Sequence, residues 1–344
     1  MFRTIICIAL LSACFSTATI MDRFHDWAET HKIAIPEGEH EFLHLLTNWK
    51  NNDRIIEETN SWNLSYTLGH NAFSGMNSEE FSEHMHFGFN QELLESDSLR
   101  GAFIETSASV SVPTSVDWRS KGVVSPVQDQ GQAGTCYSFG TSCAVESAMA
   151  IKTGVLTKLS EQQIVDCSTI KNGGVNMGVN GGTIAPTFEW IGKVGGLCTE
   201  QAYPYVSGTT KTTGTCQKTC SYVSGSDVQS VVNVKPNSDA DMMTALSKTV
   251  VSIAVEGDES TFQLYKSGVF TGKCGTSLDH AVALVGYGTM NGLDYYILRN
   301  SWSASWGQSG YMLIGKGNNP ATGKPYNNGS GQCGLLMEAS YPVM

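Results

Sequence analysis

The chain has 344 residues, a net charge of −11, 41% hydrophobic residues and ten cysteines. That balance describes a globular chain and argues against a nucleic-acid partner, which would call for a basic face. The charge is uneven: residues 1–111 carry 16 acidic and 6 basic side chains, residues 112–344 carry 16 and 15, and seven of the eight histidines precede residue 87. Two units with different physical chemistry share the chain.

Residues 1–18 read as a signal peptide, with Arg3 at the positive end, an apolar run from Ile5 to Phe15, and Ser16-Thr17-Ala18 as the small-residue cleavage site. The run is too short to span a bilayer, so no membrane anchor is expected, and the implied compartment permits disulfides. Residues 19–111 have no cysteine. Glu41, Leu45, Trp49, Asn52, Ile56 and Asn60 recur at helical spacing, which predicts a helix from 41 to 60. Further on, Ser78 is placed to cap a short helix, after which the chain is expected to run extended. The histidines of this unit gain charge below about pH 6.5. That property supports either a grip that loosens in acid or simply a solvated polar face.

The second unit, 112–344, is large enough for a sizeable core. Its chemical centre is Gln130-Gly131-Gln132-Ala133-Gly134-Thr135-Cys136-Tyr137-Ser138-Phe139, a glycine-loosened loop running into a helix-compatible stretch. A thiol at a helix N-terminus is favoured as thiolate, the form that attacks carbonyls. Gln130 lies six residues upstream, where a side-chain amide can reach an oxyanion. A nucleophilic cysteine needs a base, and the unit contains a single histidine, His280. Asn300, twenty residues later, can accept from the imidazole and hold the ring, with Trp302 shielding that bond. Ser160 and Gln163 are placed to form a capping box for a second helix. Strands are expected at 228–234, 250–255, 281–287, 295–299 and 311–314.

Cys136, His280 and Asn300 in this order resemble the papain family of cysteine proteases, nearest its cathepsin L-type branch. Val112-Pro113, Val116-Asp117-Trp118-Arg119, Asn180-Gly181-Gly182, Tyr203-Pro204-Tyr205, Phe262-Gln263-Leu264-Tyr265, Gly286-Tyr287-Gly288 and Tyr341-Pro342-Val343 extend the likeness along most of the chain. The resemblance implies an α+β fold of two lobes, helical over about 113–225 and β-barrel-like over 226–344, with the active site between them and a helical inhibitory propeptide at 19–111. The 41–60 set is similar to one propeptide motif of the family, with Leu45 and Trp49 in place of arginine and phenylalanine. Gly69-His70-Asn71-Ala72-Phe73 is similar to a second, with Gly75 where an aspartate is usual.

The same resemblance assigns the remaining roles. Gly181 and Gly182 would offer backbone edges to an extended substrate. Thr183, Ile184, Ala254, Leu278 and Ala281 would wall the pocket for the side chain two residues before the cut, with Glu338 at its base, accepting hydrophobic residues and, through Glu338, arginine. Trp306 would floor the leaving-group side. Cys274–Cys333 would be bridged, Cys167 would pair with Cys216 or Cys220, and Cys198 with the one left; Cys143 would be an inert thiol. Ala133 and Val179 stand where relatives have a bridged cysteine pair, so a looser cleft is expected. Tyr137 replaces a tryptophan and should keep an aromatic wall.

The partners implied are polypeptide substrates, the chain's own propeptide and cystatin-type inhibitors, on a monomer without cofactor or metal, in the secretory pathway, a lysosome-like compartment or outside the cell. Asn63 and Asn328 head glycosylation sequons. Two alternatives compete. A binding protein on the same fold would be expected to have lost Cys136, and an exopeptidase would need an occluding insertion that 174–182 does not show.

Overall fold

The computed structural model describes residues 19–85, 87–90, 102–103 and 112–344. The expected signal peptide lies outside them. In chain order the first unit supplies α1 (Ile20–Thr30), α2 (Glu39–Ser61), β1 (Tyr66–Leu68), α3 (Ser78–Met85) and β2 (Ala102–Phe103). The second supplies β3 (Val116–Asp117), α4 (Cys136–Thr153), α5 (Glu161–Cys167), α6 (Ala185–Val194), α7 (Ser207–Thr210), β4 (Ser230–Asn233), α8 (Asp239–Leu246), β5 (Val251–Val255), α9 (Ser260–Gln263), β6 (Tyr265–Phe270), β7 (His280–Met290), β8 (Leu293–Arg299), β9 (Tyr311–Gly315) and β10 (Ala339–Val343).

The 41–60 periodicity becomes α2, whose inward stripe of Asn48, Trp49, Asn52, Asp53, Ile56 and Thr59 is buried. Trp49 packs with Phe24 and Trp27 of α1 as a small aromatic core. The interspersed asparagines have definite tasks. Asn60 donates to Leu68 O (3.0 Å) and accepts from Leu68 N–H (2.9 Å), fixing β1 against the helix. Asn52 donates to Ser74 O (2.9 Å) and Met76 O (2.8 Å), and Asn71 Nδ2 donates to Gln263 O (2.7 Å). These amides satisfy backbone that would otherwise be buried unpaired, and the Asn71 bond joins the first unit to the second.

Two capping expectations are corrected. Asn77, not Ser78, caps α3: its side chain accepts from Glu80 N–H (2.9 Å), while Glu80 accepts from Asn77 N–H (3.1 Å). Ser78 instead faces Ser260 of the second unit (2.7 Å). Ser160 does cap α5 by accepting from Gln163 N–H (3.0 Å), but the Gln163 side chain does not close the box. It accepts from Cys198 N–H (2.7 Å), because that buried donor has a stronger claim on it.

All five expected strands form, within a residue or three of their predicted ends. Val116–Asp117, Tyr265–Phe270 and Ala339–Val343 were not predicted as strands; their runs are short or interrupted by Gly268 and Pro342. The barrel-like expectation is modified. The sheet is open, in the order β1-β6-β9-β8-β7-β5-β10-β4-β2, with β3 on β7. Both ends of that path belong to the first unit: β1 pairs antiparallel with β6, and β2 pairs parallel with β4. The first unit therefore covers both edges that the second unit would otherwise expose.

The helical part packs on this sheet through α4, which lies against β5 and β7. Gly140 permits the approach, since a Cβ there would sit 3.2 Å from Val282 O. Ser252 Oγ donates to Gly140 O (2.7 Å), adding a polar tie across the lobes. Among the described residues three disulfides are present, Cys167–Cys216, Cys198–Cys220 and Cys274–Cys333, which settles the choice between Cys216 and Cys220. Cys136 and Cys143 are free and buried.

Candidate active site

Cys136 opens α4, and no side chain caps its first turn. Thr135, at the cap position, turns its hydroxyl to Tyr205 Oη (2.6 Å) instead. The positive end of the helix is thus left directed at the thiol. His280 opens β7, whose partner β8 ends at Arg299 and delivers Asn300 beside it. His280 Nε2 bonds Asn300 Oδ1 at 2.8 Å, and Nδ1 has no hydrogen-bond partner. Trp302 stacks on the imidazole with ring centroids 4.7 Å apart and itself is buried. That shield excludes water from the His280–Asn300 bond.

Gln130 is held from several directions. Its Nε2 donates to Ala133 O (3.0 Å), and its Oε1 accepts from Ser301 Oγ (2.7 Å). Its backbone accepts from Tyr205 Oη (2.7 Å) and donates to Ser301 O (2.8 Å). Ser301 and Tyr205 were not singled out individually in the sequence. The Tyr203-Pro204-Tyr205 run carried the signal for one of them, but nothing in it announces a contact 75 residues away.

The residues assigned to a pocket by the resemblance lie as follows. Ile184, Ala254, Leu278 and Ala281 are buried in one apolar cluster that also contains Cys136 and Tyr137. Thr183 is fully buried, with its hydroxyl unpartnered. Glu338 O accepts from Ala254 N–H (3.0 Å), which seats Glu338 beside that wall. Trp306 is buried between Phe262, Tyr265 and Trp302, donating Nε1–H to Gln263 O (3.0 Å), so it supports the aromatic layer from beneath. Asn63 and Asn328 are both exposed.

The site is occupied by the chain itself. After α3, residues 87–90 run through the cleft. Gly182 N–H donates to Gly88 O (2.7 Å), Asn90 N–H donates to Gly182 O (3.0 Å), and Phe89 N–H donates to Asp279 O (3.0 Å). Phe89 joins the same apolar cluster as the pocket walls. Phe87 packs edge-on to His280 at 5.7 Å, and Phe73 and Phe81 close on Trp302. Gly182 thus presents a backbone edge to this extended segment, whereas Gly181 donates its N–H to Gly178 O (3.3 Å) and accepts at its carbonyl from Met177 N–H (2.8 Å) within the loop.

Covering the site changes its electrostatics. Burial pushes the Cys136 thiol up to about 11, against the pull of hydrogen bonds with the backbone of Ala281 and Gly88. Burial draws His280 down to about 4, against its bond to Asn300. Both groups therefore favour their neutral forms in this covered cleft, in contrast to the thiolate expected at the helix N-terminus.

Comparison with known proteins agrees with this architecture. The family described as papain family cysteine protease matches residues 112–343, and the cathepsin propeptide inhibitor domain matches residues 24–81. Probable cysteine protease RD21B of Arabidopsis thaliana is 42% identical over 297 residues, which is 86% of this chain and 60% of that relative's length. Among solved structures, recombinant stem bromelain precursor superposes with a TM-score of 0.81 at 34% identity, covering 94% of this chain and 99% of that one. Digestive procathepsin L 3 of Tenebrio molitor larval midgut gives 0.80 at 31% identity, covering 95% of this chain and all of that one, 100%. With the family model spanning residues 112–343, the propeptide-domain model spanning 24–81 and residues 87–90 lying across the cleft, the chain belongs to the papain family of cysteine proteases and has the form of its proenzymes.

Proposed function

We propose that this chain is an endopeptidase made as a zymogen: a signal peptide at 1–18 is removed, 19–111 blocks the cleft, and 112–344 is the mature peptidase. The observation that carries the reading is Cys136 at the start of α4, facing the lobe that holds the His280–Asn300 pair, with residues 87–90 paired to Gly182 over both. Once uncovered, the Cys136 thiolate attacks the scissile carbonyl, and Gln130 with the Cys136 backbone N–H stabilises the oxyanion. His280 protonates the leaving amine, and water, deprotonated by His280, releases the acyl-enzyme. Phe89 in the apolar cluster supports a preference for Phe, Leu or Val two residues before the cut, and Glu338 beside Ala254 supports acceptance of arginine there.

The test is intact mass after acid incubation with mild reductant and an epoxide inhibitor of thiol enzymes. The expected result is loss of about the first 111 residues and a single adduct on Cys136. Folded protein that takes no adduct would exclude the assignment. Asn300→Ala should lower kcat on the order of 10²-fold with little change in KM, because the imidazole loses the group that orients it; an unchanged kcat would remove Asn300 from the machinery.

Acid should release the propeptide, consistent with the secretory pathway and an acidic or extracellular destination. His84 on α3 is held below its ordinary range, first by burial and then by Lys211 of the mature unit, with Asp129 opposing. A depressed histidine binds its proton better in the released state. The grip is therefore complete above about pH 6.5 and weakens as pH falls through that value. His84→Gln should slow processing at pH 4.5 by up to about tenfold and leave the rate at pH 7 unchanged. Equal rates for wild type and variant at pH 4.5 would show that His84 is not a trigger.

A further inference from the structure

The edge that pairs with extended chain is carried by the loop 177–182, and in this protein no disulfide anchors that loop to the nucleophile loop: Ala133 and Val179 stand there instead. The two residues both line a cavity of about 550 Å³ between the propeptide unit and the mature unit, so packing does not fill the space. Yet the loop is closely held. Val179 O accepts from Gly134 N–H (2.8 Å), and Val179 N–H donates to Thr213 Oγ1 (3.0 Å). Tyr137, the residue after the nucleophile, donates its hydroxyl to Gly178 O (3.0 Å), and its ring lies directly under Gly182, where an added Cβ would meet Cδ2 at 2.7 Å. Gly178 has φ of +63°, and a Cβ there would strike Thr213 Oγ1, so the loop is shaped to this anchor. On the far side Asn176 accepts from Thr183 N–H (3.0 Å) and donates to Ser168 and Thr187, which closes the frame.

We propose that Tyr137 and Thr213 are positioning residues for substrate: their hydrogen bonds to Gly178 and Val179 hold the Gly182 edge at binding distance from Cys136, the task a covalent bridge would otherwise perform. The proposal rests on reading Gly182 as the substrate-pairing edge. Its physical basis is directness. Tyr137 and Cys136 are consecutive on the first turn of α4, so the same helix end fixes both the sulfur and, through one hydroxyl, the strand that aligns the peptide. The phenol is fully buried, and burial keeps it protonated, so the bond persists over the whole working range of pH. A peptide bound through Gly182 gains nothing unless that edge is in register before binding.

The experiment uses enzyme matured from the full proenzyme, assayed on a peptide with phenylalanine two residues before the cut. Tyr137→Phe removes the hydroxyl and keeps the ring. KM is expected to rise about 5- to 10-fold while kcat stays within about twofold, the size of one lost buried hydrogen bond. Thr213→Val, at an exposed position that folding tolerates, should raise KM in the same way. Ala133→Cys with Val179→Cys, built into Tyr137→Phe, should form the bridge and return KM to within about twofold of wild type. Three results would overturn the proposal: unchanged KM in both single variants, a fall in kcat equal to the rise in KM, or a bridge that forms and restores nothing. A wild-type enzyme that labels at Cys136 yet cleaves no peptide would overturn the Gly182 reading itself, whereas an active wild type with indifferent variants overturns this inference alone.

Discussion

Replacing Cys136 with alanine should lower kcat/KM by more than about 10⁴-fold while leaving the fold intact. On the proposed mechanism Cys136 forms the acyl-enzyme, so its loss removes the two-step route, and binding and the oxyanion donors alone leave a small residual rate. The side chain is fully buried in the covered state and makes no disulfide, so alanine removes one sulfur atom from the packing and little else. Cys143 is the internal control. It lies two turns further along α4, 1% exposed, with its thiol pushed up by burial. Cys143→Ala should retain peptidase activity within about twofold and cost about 1 kcal/mol of stability for the smaller side chain. Peptide hydrolysis by both variants, with thermal unfolding alongside, separates chemistry from folding. A Cys136→Ala enzyme of near wild-type rate would end the assignment.

The second large effect concerns latency. Gly88→Ala should unseat the inhibitory segment from the cleft. A Cβ at Gly88 would lie 2.0 Å from Gly134 O and 2.7 Å from Gly134 Cα, both backbone atoms of the loop that leads into Cys136. Backbone this close to a helix start cannot move aside as a flexible side chain would. The strain, typically about 1–3 kcal/mol for overpacking, falls on the segment that is easiest to displace. Its displacement breaks the 2.7 and 3.0 Å bonds with Gly182 and lifts Phe87 from His280. Water then reaches the pair, which reverses the burial that holds Cys136 at about 11 and His280 at about 4. Alkylation of Cys136 in the intact proenzyme at neutral pH should accelerate by about 10- to 100-fold, the factor that corresponds to that strain. The rest of the propeptide unit should stay docked through Asn71, Gln263 and the Phe81–Trp302 contact. Labelling at the wild-type rate would mean that the segment accommodates the methyl group and that latency resides elsewhere.

Much of the site could be read from the chain alone, for reasons of scarcity. The second unit has a single histidine, so His280 had no competitor, and a cysteine between a glycine-bearing loop and a helical run has few structural uses. The helix of the first unit was equally plain, because Leu45, Trp49, Asn52 and Ile56 fall on one face at 3.6-residue spacing. What escaped were interactions whose partners are remote. Gln263 receives Asn71 across 192 residues, and β6 and β10 owe their strand character to neighbours on either side rather than to their own alternation.

Composition and spacing by themselves pointed to two units of different charge, to Cys136 and His280 as the candidate reactive pair of the second, and to an amphipathic helix in the first. Those features follow from local periodicity and from which reactive side chains exist at all. Tertiary structure alone decided that Cys167 takes Cys216, that Asn77 rather than Ser78 caps α3, and that Tyr137 and Thr213 hold the loop where no bridge is present. It also decided that Cys136 and His280 are buried, which pushes the thiol up and the imidazole down, because the cover is a segment about 50 residues upstream of Cys136 that only the folded chain brings onto it.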